Sequence, residues 1–204
     1  TAYGPIQIQG TNGYRLQINS VVLHNAANLT SPAAGNTFFT PTTANVTLGT
    51  VTVGTGNTGQ GNPFLVLDGT SSDNRVTGAI SNASDVGTSN RPLRVTKSNT
   101  STWTLSGDNT YSGTTTITAG TLKLGAAGGG TNTPLGTTAA GTTVSGTGTL
   151  DLAGFTLGTA EALSIAASGT SNSGALANTG GAASYSGLVT LGAAARIVAT
   201  GDIA

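Results

Sequence analysis

The sequence predicts an all-β chain wound as a right-handed parallel β-helix, and three observations lead there. Apolar residues recur at every second position in short runs rich in Val, Ile, Leu and Thr. Each run is stopped by Gly, Asn or Ser, which is the signature of short strands with one buried face between turns. The runs also resemble one another. Gly120-Thr121-Leu122-Lys123-Leu124 returns as Gly148-Thr149-Leu150-Asp151-Leu152, and Tyr111-Ser112-Gly113 returns as Tyr185-Ser186-Gly187. Weak self-similarity of this kind marks a solenoid with rungs of about 20 to 30 residues.

Residues 1–43 read differently from the rest. Ile6 and Ile8 alternate with Gln7 and Gln9, and Leu16 and Ile18 alternate with Gln17 and Asn19. Thr11-Asn12-Gly13 lies between them, and Asn-Gly between alternating runs is the strongest short hairpin signal. The expectation is an antiparallel hairpin that caps the first exposed rung, followed by a loop over 25–43 that contains Pro32 and Pro41. Residues 44–204 are expected to form the solenoid. Its strands are anchored in order by Val46 and Leu48, Val51 and Val53, Leu65 and Leu67, and Val76 and Ile80. Leu93 and Val95, Trp103 and Leu105, and Ile117, Leu122 and Leu124 follow. Leu150 and Leu152, Phe155 and Leu157, Leu163 and Ile165, and Val189 and Leu191 complete the series. The helix-favouring run 160–167 is too short and too Ser-interrupted to prevail.

A parallel β-helix meets four demands of this pattern at once. Strands of successive rungs pair about 4.8 Å apart in sheets that close around an interior. Leu, Ile and Val fill the interior, at about 1.5–3 kcal/mol per fully buried side chain. Thr and Ser face outward, where a β-branched residue suits the pleat. Gly and Asn supply the corners. A β-sandwich would show more aromatics and regular hairpin turns, and after the first hairpin such turns are hard to find.

Composition narrows the function. The chain has 204 residues, enough for one domain that buries roughly 70% of its unfolded surface. Charged residues are 7% of the total, with seven acids against seven bases. That balance leaves no basic field for nucleic acid and no polybasic membrane contact. There is no cysteine, hence neither disulfides nor thiolate metal sites. There is no methionine, even at position 1, and no signal peptide, so the chain is expected to be a processed product or a fragment. No run approaches the length of about 18 apolar residues that a membrane-spanning helix needs.

Catalysis on a β-helix would need clustered carboxylates, as acid and base or as calcium ligands. The acids are Asp68, Asp73, Asp85, Asp108, Asp151, Glu161 and Asp202, and no two share a strand face at i, i+2. Asp68 and Asp73 flank Gly-Thr-Ser-Ser and are expected to close the loop as Asx turns. Arg91, Arg94 and Lys97 form the one basic cluster, and Arg94 is expected on a solvated strand face with charge at alternate positions. His24 has no second His or Cys, and neither a calcium nonapeptide nor a Gly-x-Ser-x-Gly elbow occurs. No catalytic, metal or cofactor residue is therefore expected. Trp103 alternates in phase with Leu105 and is expected inside rather than in a sugar-stacking row. Asn28, Asn45, Asn82 and Asn99 each begin an Asn-x-Ser/Thr triplet, which chance explains in so Ser- and Thr-rich a chain.

The run 105–125, LSGDNTYSGTTTITAGTLKLG, resembles the autotransporter-associated β-strand repeat. Leu105, Gly107, Asn109, Tyr111, Gly113, Thr115, Ile117, Gly120, Leu122 and Leu124 stand at matching places. The resemblance covers 103–124 well, extends loosely over 65–191, and does not reach 1–43. It implies a cysteine-poor passenger displayed at or secreted from the surface of a Gram-negative-type bacterium. It implies a structural or adhesive role without catalysis, with further repeats or other copies of the chain at its ends and surface glycans or a host or matrix surface as possible ligands. Two alternatives stand beside it: an extracellular filament subunit joined end to end, and a carbohydrate-active β-helix enzyme, which the scattered acids disfavour.

Overall fold

A computed structural model describes residues 6–10, 13–23, 36–54, 62–83, 91–192 and 194–204. Its strands fall into two long parallel ladders and a third, shorter one. The first ladder stacks β1 (Ile6–Ile8), β3 (Asn36–Pro41), β5 (Phe64–Leu67) and β8 (Arg94–Lys97). It continues through the first halves of β10 (Thr115–Leu124) and β13 (Thr142–Asp151) to β15 (Leu163–Ala167) and β18 (Val189–Leu191). The second ladder begins with β2 (Arg15–Leu23), β4 (Asn45–Val53), β6 (Asn74–Val76) and β9 (Thr102–Leu105). The second halves of β10 and β13 carry it to β16 (Leu176–Asn178) and β19 (Ile197–Ala199). Because β2, β4, β10 and β13 each turn a corner without breaking, the ladders join into one 15-stranded sheet.

The third ladder is shorter and less regular. It holds the second halves of β2 and β4 and then β7 (Ile80–Ala83). Thr110 and Tyr111 next donate to the Ile80 carbonyl. Higher up, β11 (Asn132–Thr133) and β12 (Gly136–Thr137) form a small antiparallel pair, and β14 (Thr156–Leu157) pairs with β17 (Ser184–Tyr185) in parallel. No α-helix occurs among the described residues; the one helical turn is a short 3-10 segment at Thr170–Asn172.

The alternation in the sequence becomes stacking in the interior. Phe39, Leu67, Lys97, Ile117, Val144 and Ile165 are rung equivalents in the first ladder, all of them buried. In the second ladder Trp103, Leu122, Leu150 and Leu176 lie one above another, again buried. Leu122 and Leu150 are direct register partners, as their shared place in Gly-Thr-Leu-x-Leu demands. Gly120 shows why the corner needs glycine: at φ +67° a side chain there would run into the Asn99 and Ser101 carbonyls and the Lys97 ammonium.

The all-β parallel β-helix is thus the observed fold, and its amino-terminal details need correction. Ile6–Ile8 and Arg15–Leu23 do not pair as a hairpin. Ile6–Ile8 runs parallel to β3, and Arg15–Leu23 runs parallel to β4. Each joins a different ladder, which buries Ile8 and Leu23 against the next rung. An isolated hairpin would give its apolar face nothing to cover it. The stretch expected as a loop contains β3, with Phe39 buried in the core.

Candidate sites inside and outside the solenoid

The acid pair that a β-helix enzyme would use is not assembled at Asp68 and Asp73. Asp68 Oδ1 accepts from Ser98 Oγ at 3.0 Å, and the Asp68 carbonyl takes Trp103 Nε1 at 3.0 Å and Ser101 Oγ at 2.8 Å. Asp73 is ion-paired with Arg15 on one side and with Arg75 Nε at 3.0 Å on the other. Neither makes the expected Asx turn: Asp68 ties its rung to the next, and Asp73 is neutralised by two guanidinium groups. Asp108 Oδ1 receives Gly129 N at 2.9 Å. Asp151 is covered by Thr179, whose backbone N and Oγ1 both donate to it, and Lys123 Nζ stands 3.4 Å away. His24 and Asp85 lie outside the described residues. Among the described residues no three His, Cys, Asp or Glu side chains gather as metal ligands, and no helix is long and apolar enough to cross a membrane.

The basic cluster is taken apart by the fold. Arg94 is half-buried with its guanidinium 5.3 Å from the centre of the Phe64 ring, its register partner one rung below. Lys97 is not on a solvated face. It shares the inward phase of Leu93 and Val95 and is completely buried. Its ammonium donates to the carbonyls of Ser98 at 2.6 Å, Asn99 at 2.8 Å and Ala119 at 3.1 Å. Three N–H groups meet three acceptors. Burial pushes Lys97 down to about 7, opposed by the Asp68 carboxylate. Lys97 thus locks the corner between the first and second ladders, beside the side-chain-free Gly120.

Buried asparagines do the same work at other corners. Asn74 Oδ1 accepts Val46 N at 3.0 Å from the rung below, and Nδ2 donates to Thr102 O at 3.1 Å in the rung above. Asn109 links Ile80 N at 2.8 Å to Pro134 O at 2.6 Å in the same way. Asn178 takes Gly154 N at 2.8 Å and gives to Asp202 O at 2.9 Å. Each side-chain amide replaces a missing backbone partner where the chain leaves a strand. Of the triplet asparagines, Asn45, Asn82 and Asn99 all bond backbone N–H groups with their Oδ1 atoms.

A second polar string runs inside the core between the third and first ladders. The Tyr111 hydroxyl and Thr115 Oγ1 are 2.6 Å apart, Thr115 stacks beneath Thr142, and Thr142 Oγ1 donates to Glu161 Oε1 at 2.6 Å. Burial pushes Glu161 up to about 8, against the opposing hydrogen bond from Thr142. Burial likewise raises Tyr111 and Tyr185, and the Glu161 charge adds to both. At neutral pH Glu161 is largely a neutral acid that holds rungs together. Lys97 and Glu161 were both legible by phase, since Lys97 alternates with Val95 and Glu161 with Leu163.

Above Thr96, the outward positions Thr116, Thr143, Ser164 and Thr190 form one column of register partners, with hydroxyls free of protein hydrogen bonds. Buried Asn74, Lys97, Asn109 and Asn178 serve rung-to-rung contacts. No curated protein and no solved structure matches the chain. Residues 95–124 match the family model described as a passenger-associated-transport-repeat, the stretch that holds Lys97, Trp103, Asn109, Tyr111 and Gly120. The chain therefore carries an autotransporter passenger repeat, built into a parallel β-helix.

Proposed function

We propose that this chain is a structural and adhesive β-helix segment of a bacterial surface or matrix protein, exported to the outside of a Gram-negative-type cell, and without catalysis. The observation that carries this reading is the passenger repeat at 95–124, set in ladders whose buried polar groups bridge rungs. An enzyme would need convergent acids, and the described ones are engaged separately: Asp73 by two arginines, Asp151 by Thr179 and Lys123, Glu161 by Thr142. The working parts are then the solenoid's length and its outer faces, where glycans or a host or matrix surface would bind.

A second reading, end-to-end assembly, is favoured by the two outermost described rungs. Leu188, Leu191 and Ile197 are 75%, 62% and 50% exposed at one end, and Tyr14, Val22 and Ile6 are 70%, 49% and 46% exposed at the other. β18 and β19 each pair on one side only, as do β1 and β2. A strand edge of this kind accepts another strand. The partner is a further rung, from the same polypeptide or from another copy.

The test is direct. The purified chain, fused to a translocating barrel, is displayed on cells and probed with protease and with immobilised glycans and matrix proteins. Surface exposure with retained binding, and no release of reducing or unsaturated ends from polysaccharides, supports the reading. Turnover abolished by changing Asp68 or Asp73 overturns it in favour of an enzyme.

A further inference from the structure

Among the described residues, three buried side-chain oxygens have no hydrogen-bond partner: Thr159 Oγ1, Glu161 Oε2 and the Tyr185 hydroxyl. They belong to one corner. Leu157, Thr159, Glu161 and Leu163 are buried at alternate positions, so Thr159 and Glu161 share the inward phase between β14 and β15. Tyr185 stands one rung above, stacked on Leu157, and its hydroxyl feels the Glu161 carboxyl. Gly187 closes that corner, because a side chain there would collide with the Glu161 backbone. On the other side Glu161 Oε1 is already held by Thr142 at 2.6 Å, which fixes the carboxyl and leaves Oε2 turned away from that bond.

A single buried hydroxyl or carboxyl without a partner costs about 1–3 kcal/mol. Three in one corner call for a common partner. Two features limit its chemistry. The site has one carboxyl and two neutral hydroxyls, far short of the several carboxylates and six to eight oxygens that calcium takes, so a divalent ion is a poor fit. Every open valence belongs to an oxygen able to accept, and the two hydroxyls can donate as well. Buried water typically makes about three hydrogen bonds to such otherwise unsatisfied groups.

We propose that the corner between β14, β15 and β17 is an internal solvent site, in which one ordered water molecule is bound by Thr159 Oγ1, Glu161 Oε2 and the Tyr185 hydroxyl. The Thr159 and Tyr185 hydroxyls donate to the water oxygen, and the water donates one of its protons to Glu161 Oε2, so that each of the three atoms gains a bond. The water extends the Tyr111–Thr115–Thr142–Glu161 string by one rung, so that polar bonding runs along the core from the fourth rung to the seventh. Leaving the site requires those rungs to part, so its residence time reports their opening.

Oxygen-17 relaxation dispersion on the whole chain counts long-lived internal waters, and a high-resolution crystal structure places them. The expected result is density bridging the three atoms, and one fewer long-lived water in Tyr185→Phe or Thr159→Val than in the wild type. Direct hydrogen bonds among the three side chains with no density between them overturn the proposal. So does an unchanged water count in both variants, or density that exchanges for thallium and is therefore a cation. If a variant fails to fold, the wild-type density alone decides.

Discussion

Glu161 and Lys97 are the residues on which the interior departs most from a column of leucines, and their titrations oppose each other. Glu161 has its folded pKa raised from 4.5 to about 8. Between those values the folded chain binds the extra proton, so stability is fully present below the lower one and is lost as pH rises toward about 8. Lys97 has its folded pKa lowered from 10.5 to about 7, so there the unfolded chain binds the extra proton and stability rises with pH across that window. Together they predict a stability minimum near neutral pH, flanked by rises toward pH 5 and toward pH 10, in urea unfolding of the wild type. Glu161→Gln should flatten the acid limb and Lys97→Met the alkaline limb. A wild-type profile with a neutral maximum would contradict the assignment of both groups to the buried interior.

The sequence showed these two residues only by half. Their phase is plain, since Lys97 follows Leu93 and Val95, and Glu161 precedes Leu163 and Ile165. What alternation does not reveal is the partner. The carbonyls that hold Lys97 come from its own corner and from Ala119 in the next rung, and Thr142 reaches Glu161 across 19 residues. Asn109 is similar: it lies within the recognisable repeat, yet its role as a clamp between Ile80 and Pro134 depends on both neighbouring rungs.

At the scale of the element, the ladders follow from period-two alternation, and the amino-terminal error follows from trusting a local turn. Asn12-Gly13 favours a tight reversal, but β1 and β2 each find a parallel partner some 30 residues on, at Phe39 and Val46, that also covers their apolar side chains. Long-range pairing of this kind has no local signature. Where two rungs keep the same phrase, as at Leu122 and Leu150, register is readable; where rung length changes, as between Val95 and Thr115, only the structure gives it. The inward phase makes a sharp prediction. Leu122→Asp loses about 1.5–3 kcal/mol of burial and adds an unpaired buried charge, for a total of several kcal/mol. Lys123→Gln, next to it but outward, removes a cation 3.4 Å from the buried Asp151 yet leaves that carboxylate both Thr179 bonds, and it should cost clearly less than Leu122→Asp. Equal melting temperatures for the two variants would remove the assigned phase.

At the scale of the whole molecule, the proposed end-to-end assembly would make a rod that grows through its two outermost rungs. In the end-to-end reading proposed above, the outermost described rung, with Leu188, Leu191 and Ile197 exposed, is the docking edge. Sedimentation across a wide concentration range should show head-to-tail association that Leu191→Lys combined with Ile197→Lys suppresses. A concentration-independent monomer with strong amide protection through 197–203 would argue against open ends.

Spin-label distances along one outward column measure the parallel, in-register stack most directly. The chain contains no cysteine, so pairs can be introduced cleanly. Thr96, Thr143, Ser164 and Thr190 lie in one column with Thr116 between the first two, and none of their hydroxyls is needed by the fold. Cysteine replacements that pair Thr96 with Thr143, with Ser164 and with Thr190 should give distances that lengthen by about 4.8 Å per rung. Distances that fail to increase in that order, or that scatter as in a sandwich of antiparallel strands, would contradict the β-helix.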